Sequence, residues 1–340
     1  MGGMKRRTVL RSALLGGAAA LTGSTALAGC SAPPATSARR LMVPNLPGGG
    51  YDATARTAAK ILGAEGLTEG QLEVFNLPGA SGLVGLSRMA AEAGNGALGM
   101  VMGLGLLGAA VSAGRQQELL STTPLVLLLT EPGVVMVPRS SRWFSLGEMV
   151  RQWRRDPGAV RMGGGSAVGG PDHLLPMQLA RAAGMSPDLV KFSPYDGGGD
   201  LMPALLGGPG RAPAVDVGVS GPGEFLPQIR SGAVRVLAVS GDTRLPGVDA
   251  PTLAEAGFDV DFANWRGVVA PPGIPQDAVQ EWRELLGALA TSPAWEQACR
   301  DSGWQRRVPG TDVASFLAQQ ARTVKDTLAE LGLATQPPRT

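Results

Sequence analysis

The sequence predicts an α/β fold with largely parallel sheets. Short apolar runs alternate with amphipathic segments along most of the 340 residues. Glycine-rich loops stand where a predicted strand passes into a predicted helix, and the apolar content is sufficient for a sizeable core. In such sheets ligands bind beyond the carboxyl ends of the strands, which is where these loops would cluster.

The first strand, loop and helix unit is the clearest. A strand is predicted at residues 41–43, a glycine loop at 44–50 and a helix at 53–62. Glycine lets a ligand approach the backbone closely, and a helix start offers unpaired N–H groups with a partial positive charge. The unit therefore predicts an anion-binding site. The alternative is an ordinary turn in which Asp52 or Thr54 caps the helix. The same pattern of strand, glycine loop and helix recurs along the chain, which favours the anion-binding site.

Three further units repeat this pattern. Their strands are predicted at 71–75, 160–162 and 190–192, their loops at 76–82, 163–170 and 194–199, and their helices at 83–93, 173–183 and 200–206. In the third unit Pro176 would lie in the first helical turn, where proline is tolerated.

The segment Glu131-Pro132-Gly133 separates two apolar runs, at 125–130 and 134–137, and predicts that the chain leaves one domain there and enters another. Ser145 is a candidate N-cap. The remaining predicted strands are 97–102, 215–219, 234–240 and 268–270, and the remaining predicted helices are 109–120, 146–154, 224–229, 252–256, 276–290, 293–302 and 313–332.

Residues 103–108 fit the pattern G-x-G-x-x-G, with Glu131 at a predicted strand end about twenty residues later. We do not interpret this as a dinucleotide site, because the pattern arises easily by chance in a chain with 50 glycines. The helix after it is also short and is interrupted by Gly114.

Residues 1–29 are predicted to be a signal peptide. Basic residues precede an apolar run at 12–27 that is too short and too weakly apolar for a spanning helix. The sequence Leu-Ala-Gly-Cys at 27–30 resembles a lipobox, so Cys30 would be lipidated and residues 30–38 would form the anchor and tether. The alternative is an ordinary cleaved signal. Arg6-Arg7 resembles a signal for export of folded protein, although Sec signals contain this pair too.

The charge and cysteine content limit the possible functions. The whole chain has a formal charge of +2, but positions 1–29 contain four basic residues and no acidic residue. The remainder of the chain therefore has a formal charge of −2. With few aromatics and no polybasic run, nucleic-acid binding is disfavoured. With Cys30 lipidated, Cys299 would be the one free thiol of the mature chain, so no internal disulfide is expected.

Catalytic patterns are weak. His173 is the only histidine, and Ser81, Ser166 and Ser220 lie near glycines without completing G-x-S-x-G. No histidine or cysteine cluster has metal-ligand spacing, and no loop ends as a P-loop does. We therefore expect no enzyme, no metal and no cofactor, and keep a hydrolase using Ser166 and His173 as the minority alternative.

The motifs, taken together, resemble the substrate-binding proteins of tripartite tricarboxylate transporters, the TctC or Bug family. The resemblance covers residues 40–333, and segments 220–224 and 264–267 are more similar to the tricarboxylate branch. It rests on segments 47–52, 76–82, 163–167 with 172–173, 195–199, 219–224, 235–239, 251–257 and 264–273. The chain departs from the family pattern at Pro171, where the third loop enters its helix.

The resemblance implies a periplasmic-binding-protein-like fold, with two α/β domains and a ligand cleft between them. Domain 1 would comprise residues 39–134 and 265–340, and domain 2 residues 135–264. Ser81 and Ser166 would donate hydroxyl hydrogen bonds, Tyr51, Tyr195 and Trp265 would wall the cleft, and Arg266 would bind a second carboxylate or form a structural ion pair. The implied ligand-binding residues are Gly49, Gly50, Tyr51, Asp52, Gly79, Ala80, Ser81, Gly82, Gly165, Ser166, Ala167, Gly169, His173, Tyr195, Gly197, Ser220, Trp265 and Arg266.

The implied function is that of an exported receptor, anchored by lipid on the outer face of the cytoplasmic membrane. It would capture a small di- or tricarboxylate by domain closure and deliver it to the large and small permease subunits of the transporter. The other alternative is a sensory receptor of the same fold. Which acid is bound is not fixed by the sequence.

Overall fold

The computed structural model describes residues 39–330, except 69–71, 196, 209, 261 and 309. The predicted signal peptide, Cys30, the tether to residue 38 and residues 331–340 lie outside this part of the chain. The described strands are β1 (Arg40–Val43), β2 (Glu73–Asn76), β3 (Leu98–Gly103), β4 (Thr123–Glu131), β5 (Val134–Pro138), β6 (Arg161–Gly164), β7 (Lys191–Pro194), β8 (Val217–Ser220), β9 (Val234–Val239), β10 (Asn264–Ala270) and β11 (Gln305–Arg306).

Helices follow most of these strands, as the alternating pattern predicts. They are α1 (Gly50–Ala64), α2 (Leu83–Ala91), α3 (Leu104–Ser112), α4 (Gln116–Leu120), α5 (Leu146–Arg155), α6 (Pro171–Ala182), α7 (Gly198–Leu206), α8 (Leu226–Arg230), α9 (Gln276–Thr291), α10 (Pro293–Ser302) and α11 (Val313–Glu330). Ser145 caps α5 as predicted, since its hydroxyl accepts a hydrogen bond from the Glu148 N–H. Among the helices of the described residues, none is both long and apolar enough to cross a membrane.

Two mixed sheets organise the molecule, and both belong to one compact unit. The first has the strand order β11-β4-β10-β3-β1-β2 and the second β7-β6-β8-β5-β9. Strands β1, β2 and β3 are parallel, as are β6, β7 and β8. In contrast, β10 runs antiparallel to β3 and β4, and β5 runs antiparallel to β8 and β9. The prediction of largely parallel sheets was therefore wrong, because strands that enter or leave a sheet at a crossing run against their neighbours.

The chain crosses between the sheets at Glu131-Pro132-Gly133 and returns just before β10. Glu131 ends β4 in the first sheet and Val134 begins β5 in the second. Asn264 pairs with Glu131 in the β4–β10 register, so the two crossings lie side by side. Ser240 fixes the outgoing one, because its hydroxyl accepts a 2.7 Å hydrogen bond from the Gly133 N–H and its own N–H donates to the Gly133 carbonyl.

Strand β5 is buried on both faces, which explains its unbroken apolar sequence. Val135 and Val137 pack into the larger hydrophobic core, which extends from the first sheet. Val134 and Met136 face a smaller core with Leu201, Leu205 and Phe225. Successive side chains of a strand point to opposite faces, so β5 joins the two cores.

Three local predictions differ from the structure. Helix α6 begins at Pro171, where a proline costs no hydrogen bond, and Pro176 therefore lies inside the helix, beyond its first turn. Helix α3 begins at Leu104, so Gly105 and Gly108 are helical and the G-x-G-x-x-G segment forms no loop. Residues 252–256 form no helix, because Thr252 makes an isolated β-bridge with Val239 and the following residues form turns.

Candidate functional site

A cavity lies where loops of the first and second sheets meet. Its volume is ≈ 230 Å³, below the roughly 300–1,000 Å³ of pockets for drug-sized ligands, so it suits a small molecule. The lining residues are Asn45, Gly50, Tyr51, Ser81, Gly105, Leu106, Ala109, Glu131, Gly165, Ser166, Ala167, Val168, Gly170, Pro171, Asp172, Tyr195, Ser220, Gly221, Glu224, Asn264 and Arg266.

The start of α1 forms part of the wall that belongs to the first sheet. Gly50 is the first residue of α1, so its N–H belongs to the turn that has no intrahelical acceptors. A side chain at position 50 would overlap the Arg266 guanidinium, so it would have to displace that buried, ion-paired group. The Tyr51 hydroxyl accepts a 3.0 Å hydrogen bond from the Leu106 N–H at the start of α3. Burial raises the pKa of Tyr51, so the phenol stays protonated.

Ser81 reaches the cavity from a loop of unusual conformation. Gly79 and Gly82 have positive φ, and Ala80 and Ser81 between them have φ of 48° and 54°. Among the described residues, these two are the ones other than glycine in the left-handed region. This conformation costs about 1–2 kcal/mol for a residue with a side chain. Such strain is characteristic of functional loops, and here it places the Ser81 side chain on the cavity wall.

The floor of the cavity is formed at the two crossings. Arg266 and Glu131 make a buried ion pair, with side chains 6% and 5% exposed. Asn264 Nδ2 donates to Glu131 Oε2 over 3.4 Å, and Arg266 Nη1 donates to Thr54 Oγ1 over 3.3 Å. The guanidinium also lies 5.6 Å from the centre of the Trp304 ring. Of the two alternatives for Arg266, the structure therefore shows the structural ion pair.

The start of α6 provides the wall that belongs to the second sheet. Asp172 is buried, and its Oδ2 accepts a 3.0 Å hydrogen bond from the Ser220 hydroxyl. Burial raises the pKa of Asp172 to about 7, and the nearby Glu224 and Glu131 carboxylates add to this effect. Ser166 Oγ accepts a 3.0 Å hydrogen bond from the Asp172 N–H, which leaves the hydroxyl hydrogen able to donate into the cavity.

Glu224 occupies the start of α7. Its Oε2 accepts a 2.6 Å hydrogen bond from the Gly198 N–H, the first residue of that helix. A side chain at position 198 would collide with Glu224 and Phe225, so the approach again requires glycine. A carboxylate of the chain itself therefore occupies this helix start.

Half of the residues predicted to bind ligand line the cavity. They are Gly50, Tyr51, Ser81, Gly165, Ser166, Ala167, Tyr195, Ser220 and Arg266. The others surround these without being part of the lining: Gly49, Asp52, Gly79, Ala80, Gly82, Gly169, His173, Gly197 and Trp265.

Two of these outlying side chains have structural roles. Asp52 accepts hydrogen bonds from the Gly48 N–H at 3.0 Å and from Arg56 and Asn76, so it holds the first glycine loop. Trp265 does not wall the cleft as expected. Its Nε1 donates to Gln320 and its ring packs edge-on against Phe316, on the opposite face of β10 from Arg266.

His173 is buried beside Phe192, and its Nδ1 accepts a 3.2 Å hydrogen bond from the Gly169 N–H. Burial lowers the pKa of His173 to about 4, so the ring is neutral. Within the described part of the chain no hydrogen bond joins His173 to Ser166, whose hydroxyl contacts Asp172 instead. These contacts give no support to the hydrolase alternative.

Sequence reasoning missed five polar residues of the cavity. They are Asn45, Glu131, Asp172, Glu224 and Asn264. Asp172, Glu224 and Asn264 lie within the motifs that carried the family resemblance, so the motifs themselves were the available signal. Glu131 stands at the end of an apolar strand, and only its partner Arg266, 135 positions away, shows its role.

Comparison with known proteins now gives the family. Residues 55–333 match the model of the tripartite tricarboxylate transporter family receptor, TctC. The chain belongs to this family. A curated relative of this receptor, the UPF0065 protein in the tcbD-tcbE intergenic region of Pseudomonas sp. (strain P51), is 28% identical over 269 residues, or 77% of this chain and 76% of the relative.

Solved structures confirm the fold of the receptor. Rpa4515 of R. palustris with adipate matches with a TM-score of 0.76 and 23% identity, over 89% of this chain and 99% of that one. The periplasmic binding protein BugD matches with a TM-score of 0.73 and 22% identity, over 88% and 98%. MatC from Rhodopseudomonas palustris with bound malate gives 0.70 and 23%, over 86% and 98%. At these identities the comparison shows the fold, which is that of the periplasmic binding proteins.

Proposed function

We propose that this chain is the solute receptor of a tripartite tricarboxylate transporter, and that it binds a small di- or tricarboxylate in the cavity. The observation that carries the proposal is the convergence of helix starts and glycine loops from both sheets on one small cavity. Unpaired N–H groups at helix starts favour anions, and hydroxyl donors complete such a site. The relatives with bound malate and adipate support the same ligand class.

The ligand carboxylate would be bound by the N–H groups at the start of α1 and by the Ser81 hydroxyl on one side, and by the Ser166 hydroxyl on the other. Ser81 lies in a loop after a strand of the first sheet, and Ser166 lies in a loop after a strand of the second sheet. One ligand that contacts both hydroxyls would therefore connect the two walls. We propose that residues 39–134 with 265–340 and residues 135–264 act as two domains that close on it, with the adjacent crossings at Glu131 and Asn264 as the hinge.

Delivery is the second step. The closed receptor would dock on the large and small permease subunits, and the proposed lipid on Cys30 would hold it at the outer face of the cytoplasmic membrane. A single acyl chain binds membranes weakly, so the several chains of a lipoprotein are needed for firm attachment. In this role the protein is a receptor and no enzyme.

The test is a thermal-shift titration of the purified protein with mono-, di- and tricarboxylates, and with amino acids and nucleotides as other classes. A ligand that binds the folded state raises the melting temperature in proportion to the logarithm of its excess over the dissociation constant. We expect a rise with carboxylates, and an affinity about 5- to 30-fold weaker in Ser166→Ala, because one hydrogen bond to a charged group is lost.

Ser87→Ala is the matched control, since Ser87 is exposed on α2, close in sequence to Ser81, and does not line the cavity. It should bind as the unmodified protein does. A protein that responds to no carboxylate, or a Ser166→Ala variant with unchanged affinity alongside its control, would contradict the proposed site.

A further inference from the structure

The cavity is unevenly charged. Three carboxylates, Glu131, Asp172 and Glu224, line it, whereas Arg266 is the one basic side chain among the described lining residues. Arg266 is paired with Glu131 through Nη2 and donates to Thr54 through Nη1. Within the described part of the chain, no ion pair involves the other two acids, Asp172 and Glu224, and both lie on the wall that belongs to the second sheet.

These two acids already use the donors around them. The Ser220 hydroxyl donates to Asp172 Oδ2, and the Gly198 N–H donates to Glu224 Oε2. The first N–H of α7 is thus occupied by a carboxylate of the protein itself. Each carboxylate has a second oxygen, and an ionised carboxylate can only accept hydrogen bonds.

Above about pH 7, where Asp172 is ionised, a ligand carboxylate placed against this wall would face like charges in a buried site, which is unfavourable. The arrangement of the acidic side chains does not favour a metal ion as the group bound at this wall. Among the described residues, no three histidine, cysteine or acidic side chains lie close enough together to hold one. The group that fits the wall is a hydrogen-bond donor.

We propose that the ligand carries a hydroxyl or ammonium group besides its carboxylate, and that Asp172 and Glu224 accept hydrogen bonds from that group. The carboxylate then lies at the opposite wall, near the start of α1 and Ser81. This rests on the proposed capture of a carboxylate and narrows its class to hydroxy or amino carboxylates. Asp172 and Glu224 determine specificity, while Ser81, Ser166 and the α1 start determine that a carboxylate binds at all.

The experiment compares dissociation constants by calorimetric titration at pH 8, where Asp172 is ionised, within sets of equal carbon number. Each set contains a plain dicarboxylate, its 2-hydroxy derivative and its 2-amino derivative, with four, five and six carbons. Members of a set share both carboxylates and differ in one donor, and the hydroxyl and ammonium arms separate the two sources of that donor. For the length that binds best, we expect a donor-bearing member to bind on the order of 10- to 100-fold more tightly than the plain diacid.

Two isosteric variants locate the effect. Asp172→Asn and Glu224→Gln replace acceptors by side chains that can also donate, so the preference for the donor-bearing ligand should fall to a few-fold or reverse. Glu224→Gln keeps an oxygen for the Gly198 N–H. Asp200→Asn, at an exposed acid in the first turn of α7 away from the cavity, is the control and should keep the preference. Melting temperatures without ligand show whether each variant is folded.

The outcomes are distinct. If plain diacids bind as tightly as their hydroxy and amino derivatives at every length, the inference is wrong and the receptor function stands. A preference that survives both variants also overturns it. If no carboxylate of any kind binds, the proposed function itself fails, and this inference fails with it.

Discussion

The starts of α1 and α7 use the same local structure for opposite purposes. Each follows a glycine loop at the end of a parallel strand. Gly50, at the start of α1, lines the cavity, whereas Gly198, at the start of α7, does not. At α1 the nearby acid, Asp52, is turned away to Gly48 and Arg56. At α7 Glu224 accepts the Gly198 N–H itself. A glycine loop before a helix therefore indicates where an anion can bind, but not whether the ligand or the protein supplies it.

The largest effect should come from the ion pair of Arg266 and Glu131 at the floor of the cavity. In Arg266→Gln, Glu131 stays buried without its cation, and we expect a loss of about 3–5 kcal/mol in the free energy of unfolding. Denaturant unfolding measures it. Replacing both partners, in Glu131→Gln with Arg266→Gln, should restore most of the loss, because no unpaired charge is then buried.

Arg39→Gln is the matched control. Arg39 also pairs with a glutamate, Glu281, but the side chains are 32% and 59% exposed. Such pairs contribute about 0–1 kcal/mol. If Arg266→Gln is no more destabilising than Arg39→Gln, the floor is not held by the ion pair.

The second effect concerns the wall of α6. Burial raises the pKa of Asp172 to about 7 from 3.8, with Ser220, Glu224 and Glu131 facing it. Between these values the folded state binds a proton that the unfolded state has released. Stability from this group is therefore greatest below pH 4 and falls as the pH rises to about 7.

Asp172→Asn cannot ionise, so it should be more stable than the unmodified protein at pH 8, by about 2–4 kcal/mol, and similar at pH 4. Urea unfolding at both values tests this, with Asp200→Asn as the exposed control that should not change the pH profile. A stabilising substitution that impairs ligand selection would show that Asp172 is retained for binding rather than for folding. An unchanged pH profile would mean that Asp172 is ionised in the fold.

Much of the fold was accessible from the sequence because its signals are local. The β1–α1 unit, the Ser145 cap and the crossing at Glu131 each follow from a few neighbouring residues. The pairing of Glu131 with Arg266 was not accessible, since 135 positions separate them. Trp265 was predictable in principle: side chains of a strand alternate, so if Arg266 faces the cavity, Trp265 must face away. Asp172 and Glu224 lie within recognisable motifs, but that they line the same cavity depends on how loops of separate strands meet, which the motifs do not record.

The smallest effect should come from the loop that carries Ser81. Ala80→Gly and Ser81→Gly each relieve a left-handed residue, with φ of 48° and 54°. Relief of about 1–2 kcal/mol is partly offset by the greater chain entropy of glycine, so each should stabilise the protein by about 0.5–1 kcal/mol. The two substitutions differ in that Ser81→Gly also removes a hydroxyl group. Ser81 lines the cavity and Ala80 does not.

Ligand titration of these two variants separates strain from binding. Ala80→Gly should keep the carboxylate affinity, while Ser81→Gly should lose about 5- to 10-fold, the effect of one hydrogen bond. If both keep it, the strained loop does not serve the ligand. If both lose it equally, the rigid left-handed backbone matters more than the hydroxyl, and pre-organisation of the loop is what distinguishes this wall from the start of α7.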